Sequence, residues 1–207
     1  MSDPGAATID AAAESKPPKD ASPLGLVFLR DLTLLIVIFS IWAGAEAWAE
    51  ASGLGFAVVL SALGGLLAGA AGVSLLHEWG HFAAARLSGA VAPISPAKNM
   101  VPLFQFDLER SSDQQFVAMS VGGNVAHWVG ALGLFFALPS TSAGLTAVQA
   151  GAFGFVAFAS VIEVPIIRRA SRSGIQAFRD FVKDSSYVVP RAARVGLGTA
   201  LAVFLLL

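Results

Sequence analysis

The chain has 207 residues, of which 56% are hydrophobic and 13% charged, with a mean hydropathy of +0.72 and a formal net charge of −1. A soluble domain carries about 25% charged residues, so this composition excludes the soluble class and points to an integral membrane protein. Near-neutral charge gives no ground for a nucleic-acid partner, and the lack of cysteine excludes disulfides, iron–sulfur clusters and thiolate chemistry.

Met1 to about Pro23 is Ala, Ser, Pro, Asp and Lys without apolar patterning, the composition of a disordered tail. No basic stretch runs straight into an apolar core there, so it is not a signal peptide, and the first span is expected to stay in the mature protein. Five apolar runs follow, to be judged against the roughly 20 residues a spanning helix needs. They cover about Leu32–Trp48, Leu54–Leu87, Phe116–Leu138, Leu145–Ile167 and Val188–Leu207. The expected fold is therefore an all-α membrane protein of five transmembrane helices, with the transmembrane domain over 24–207. The second run exceeds what a bilayer requires, so its C-terminal part is expected to reach or pass the interface. Gly65 and Gly69, with Gly122, Gly123, Gly130 and Gly133, are small residues that let helices approach closely. "SRSGIQAFRDFVKD" (Ser171–Asp184) sets Phe178, Phe181 and Val182 to one side and reads as an interfacial amphipathic segment.

A five-span layout puts all thirteen Lys and Arg residues on one side of the bilayer. Lys16, Lys19 and Arg30 precede span one, and Arg86, Lys98 and Arg110 lie between spans two and three. The other seven run from Arg168 to Arg194. The opposite loops, "AEASG" and "PSTSAG", carry none. By the positive-inside rule the N-terminus and the two long loops are cytoplasmic and the C-terminus external. That layout and the absence of cysteine fit a bacterial inner membrane.

The chemistry concentrates in "HEWGH". On a helix His77 and His81 share a face one turn apart, so both can ligate one metal ion, with Glu78 beside them as general base for the attacking water. Ionisable groups inside a span are costly and mark functional sites by default. His127, the third and last histidine, lies in span three and Glu163 in span four. Counting 1.5 Å per residue from Arg86, Phe116 and Arg168 puts all four groups roughly 7 to 17 Å from the cytoplasmic face. The bland alternatives are a helix–helix hydrogen bond for His127 and a pairing of Glu163 with Arg168. Glu46 falls near the outer end of span one.

"HEWGHFAAARLSGA" resembles the "HELGHxxxARxxGV" opening of the site-2 protease family of intramembrane zinc metallopeptidases, and "VGGNVAHWVGAL" resembles that family's "AGPLANLLLAL" segment. The resemblance covers about 54–169. It implies zinc as cofactor, a transmembrane segment of another protein as substrate, and cleavage near the cytoplasmic face. It also implies a short membrane-associated strand before span three. Here "MVPLFQFDLER" (Met100–Arg110) alternates apolar and polar residues from Leu103 on and is either that strand or an ordinary loop. An edge strand binds an extended peptide through main-chain hydrogen bonds, so Leu103, Phe104, Gln105, Phe106 and Asn124 are the expected substrate contacts. The chain departs from the family where a Gly-Pro pair becomes Gly123-Asn124. It departs again where the aspartate ligand of a later "NxxPxPxxDG" stretch falls near Ala170 or Ser171. Either His127 or Glu163, or both, completes the zinc site, or the chain is a degenerate relative that binds membrane proteins or serves as a subunit of a larger complex. A metal or proton translocator is a third class, disfavoured because spans one, three and five carry almost no polar residues in their outer halves.

Overall fold

The computed structural model describes residues 23–98 and 102–207. The expected tail therefore lies outside the described residues except for Pro23, as do Met100 and Val101 of the expected strand. Five helices account for most of the rest: α1 (Leu24–Ser52), α2 (Gly55–Leu87), α3 (Asp113–Ala137), α4 (Ala143–Ser173) and α5 (Gln176–Leu206). All five contain a stretch long and apolar enough to cross a bilayer. Leu67, Phe136 and Leu201 hold large apolar side chains outward, as a surface solvated by lipid requires.

The helix ends follow local chemistry. α1 stops at Gly53, whose positive φ of 63° no β-branched residue would accept, and its N–H donates to the Ala49 carbonyl. α3 opens with a capping box, Ser112 and Gln115 each accepting the other's backbone N–H. The Ser142 hydroxyl accepts from Leu145 N–H to start α4. Pro165 sits inside α4, two residues past Glu163, and removes one rung of its hydrogen-bond ladder.

Two boundaries differ from expectation. α1 begins eight residues before the apolar run, because Arg30 and Asp31 neutralise each other within the helix. The Ser171–Asp184 segment is divided between the end of α4 and the start of α5, with a two-residue break at Gly174 (φ 58°) and Ile175. Phe178 and Phe181 pack inward against the cluster of Phe116, Ile166, Ala170 and Ile175, so this side faces the bundle.

α2 is the central helix and touches α1, α3 and α4; α5 packs on α4. Glycines set two backbone contacts. A methyl on Gly69 would strike the Val148 carbonyl of α4, and one on Gly151 would strike the Leu66 carbonyl of α2. Beside "HEWGH", Gly80 and Gly122 each face the other's carbonyl, so α2 and α3 cross in direct main-chain contact. Gly133, by contrast, faces open space. At the end of the bundle away from "HEWGH", Glu46 accepts a hydrogen bond from the Ser61 hydroxyl, tying α1 to α2 beside Gly144 of α4.

The link between α2 and α3 forms no named strand among the described residues. It holds one antiparallel bridge, Ile94 to Phe104, with Ser95 N–H donating to Leu103, Gln105 N–H to Pro93 and Asp107 N–H to Val91. Pro93 and Pro96 in the partner segment limit the pairing. The alternation in 103–107 thus yields a paired, extended segment rather than a regular strand.

Candidate metal centre

α2 presents His77 and His81 one turn apart, with ring centroids 4.3 Å from each other. Their Nε2 atoms are 3.1 Å apart, and each lies 3.0 Å from Oε1 of Glu163 on α4. Those three atoms make a nearly equilateral triangle. Zinc bonds of about 2.0–2.2 Å at tetrahedral angles set ligand atoms roughly 3.3 Å apart, so the triangle is close to one face of a zinc tetrahedron. Two imidazoles and a glutamate are also a donor set that catalytic zinc uses. His77, His127 and Glu163 form a looser group, with ligand atoms within 4.8 Å. That grouping leaves out His81, whose Nε2 sits against Glu163, and the tighter triangle is the better cage.

Every ligand candidate is held from behind. His81 Nδ1 is 2.8 Å from the Met119 carbonyl of α3, so its proton belongs on Nδ1. The Nε2 lone pair then faces a carboxylate oxygen, two acceptors in opposition. A metal ion seated between them, or a second proton on the ring, removes the conflict. Asn124 Nδ2 donates to Glu163 Oε2 at 2.6 Å. His77 Nδ1 lies 3.0 Å from His127 Nδ1. Gly123 supplies the space for the His81 ring, because a methyl there would overlap it.

Glu78, His81 and Glu163 open onto a cavity of about 340 Å³, walled on another side by Phe104, Gln105 and Phe106. The Leu103 N–H points at Glu78 Oε2 from 3.5 Å, the outer limit of a hydrogen bond. The Leu103 carbonyl and the N–H groups of Gln105 and Asp107 bond to 91–95, which by strand alternation turns the main-chain groups of Phe104 and Phe106 to the opposite edge. Neither of those two N–H groups has a partner among the described residues.

The residues expected from sequence thus take distinct positions. His77, His81 and Glu163 converge. Glu163 pairs with the histidines and Asn124, not with Arg168. His127 stands behind His77, outside the triangle. Asn124, expected to contact substrate, is bonded to Glu163. Leu103, also expected on the substrate side, is only 2% exposed and packs beneath with Val27, Phe82 and Ala85. Ala170 and Ser171, where the family's aspartate would align, are a core residue and a side chain bonded to the Arg168 carbonyl.

Sequence reading passed over Asp31. It is 4% exposed, pairs with Arg30 at 2.7 Å and accepts from Trp79 Nε1 at 3.0 Å, so α1 grips the middle residue of "HEWGH". Arg30 also donates to the Ala97 carbonyl at 3.1 Å. The available signal was an acid at the very start of the first apolar run, with one indole donor in the motif needing a partner.

Comparison with family models, with curated proteins and with solved structures gives no match.

Proposed function

We propose that this protein is a zinc-dependent intramembrane peptidase that cuts transmembrane segments of other proteins near the cytoplasmic face of, by its basic-residue layout, a bacterial inner membrane. The observation that carries the reading is the 3.0–3.1 Å triangle of His77 Nε2, His81 Nε2 and Glu163 Oε1, two of whose members, His81 and Glu163, line a cavity together with Glu78. The resemblance of the histidine motif to site-2 proteases supports it, and Glu163 supplies a carboxylate in place of the missing aspartate.

Bound at those three atoms, zinc supplies Lewis acidity to a water nucleophile and to the scissile carbonyl. Glu78 accepts the proton of the attacking water and returns it to the leaving amine. The free main-chain edge at Phe104 and Phe106 holds the substrate extended, the form in which a peptide bond can be attacked, while Phe104, Phe106 and Phe116 give its side chains an apolar bed.

The test pairs metal analysis with cleavage. Purified wild-type protein should carry about one zinc per chain, by the ligand count. Glu78→Gln should keep the ion and lose cleavage of tagged single-span membrane reporters co-expressed with it. Identical cleavage by the two proteins would sink the protease reading. The second reading, a non-catalytic binding subunit, is favoured by the absence of an aspartate ligand at 170–171; it predicts zinc retention and no cleavage by either protein.

A further inference from the structure

His127 is wholly buried, its Nε2 has no partner among the described residues, and the peptidase reading gives it no task. Its one polar contact among the described residues is the 3.0 Å approach of its Nδ1 to Nδ1 of His77. The two ring planes are 19° apart and the centroids 5.1 Å apart. That separation is close to the N···N distance plus the two ring radii, so the imidazoles meet edge to edge in nearly one plane. This is the geometry of a hydrogen bond, in which one proton lies between the two nitrogens.

Which ring owns that proton decides whether His77 can bind a metal. With the proton on His77 Nδ1, its Nε2 offers a lone pair to the triangle, matching His81, whose proton is directed to the Met119 carbonyl. With the proton on His127 Nδ1, the neutral His77 ring carries its own on Nε2 and cannot ligate. An imidazole presents only one nitrogen to one ion, and the His77 Nε2 is the atom within 3.0 Å of Glu163.

We infer that His127 is a positioning residue. Resting on the zinc reading above, it accepts the Nδ1 proton of His77, fixes that ring's tautomer and turns its Nε2 toward the ion, without ligating the ion itself. Carboxylates and backbone carbonyls usually do this for metal-binding histidines. Here a third histidine does it, and its own proton is left on the buried Nε2.

The chain has three histidines in all, so isotope-labelled histidine gives an NMR spectrum without background. In the zinc-loaded full-length protein in nanodiscs, His77 and His81 should be protonated at Nδ1 and His127 at Nε2. X-ray absorption should count two imidazoles on the metal. His127→Phe keeps the volume and removes the acceptor; it should still bind one zinc, with affinity lowered about 10–100-fold. His127→Gln, whose carbonyl can take the proton, should recover most of that loss. Three imidazoles on the wild-type metal, a His77 protonated at Nε2, or unchanged affinity in His127→Phe would each overturn the assignment while leaving the zinc site standing. A wild-type chain that takes up no zinc overturns both. Where His127→Phe fails to fold, the wild-type tautomers and imidazole count decide.

Discussion

At the residue scale the proposed zinc site depends on groups outside the triangle of ligand atoms. Gly123→Ala puts a methyl where the His81 ring lies. The expected outcome is a cost of about 1–3 kcal/mol from overpacking together with lost zinc, read by thermal denaturation and metal analysis. Unchanged metal content would show that the ring has room elsewhere. Glu163→Gln keeps the shape and the bond from Asn124 but weakens a ligand; it should lose most of its zinc while folding normally by circular dichroism. Much of this was legible in the sequence, because an acid or a histidine inside an apolar run is hard to explain otherwise. His77, Glu78, His81, His127 and Glu163 all stood out for that reason. Their division of labour was not legible. Whether His127 or Glu163 faces the triangle depends on the rotation of α3 and α4 about their axes, and the contact of Gly80 with Gly122 sets that rotation for α3. The bond from Asn124 to Glu163 was hidden for the same reason.

At the scale of elements, α1 is joined to the motif by Asp31. This carboxylate accepts from Arg30 and Trp79, and Arg30 reaches on to Ala97 in the link between α2 and α3. Asp31→Ala removes an acceptor from two half-buried donors and should cost about 1 kcal/mol, with faster limited proteolysis within 91–112. Asp31→Asn keeps an acceptor for the indole and should cost less. Equal protease sensitivity of wild type and Asp31→Ala would show that α1 does not brace the loop. The network was hidden because hydropathy treats Arg30 and Asp31 as polar interruptions, and only their pairing inside one helix makes them compatible with it. The 103–107 segment shows the reverse problem. Alternation over so few residues does not tell a strand from an extended loop, and the prolines opposite it decide the outcome.

At the scale of the whole molecule, the five spans were legible because a single segment crossing lipid satisfies its own backbone only as a continuous apolar helix. Hydropathy could not show that residues from three of them meet at one point, since that rests on side-chain packing. An ion held by α2 and α4, with α3 behind both, would bind the folded bundle alone. At free zinc a hundred times its Kd this adds about 2.7 kcal/mol. Chelation should therefore lower the thermal transition in detergent by roughly 5 to 10 °C. Equal transitions with and without chelator would mean that the ion does not join the helices.

Pro165 has a mechanical consequence. The rung it deletes, to the Val161 carbonyl, brackets Glu163, so α4 is weakest just beyond its contribution to the cage. Upstream, the glycine contacts weld α4 to α2. Downstream, Ile166 and Ala170 pack on Phe116 of α3, and Asp113 accepts from the Ile175 N–H just past the helix end. α4 is thus clamped on both sides of the missing rung, and bending has one place to go, much as a score line decides where a sheet folds. Amide exchange that quickens locally over 161–169 would be its signature, and a uniform rate along α4 would refute it.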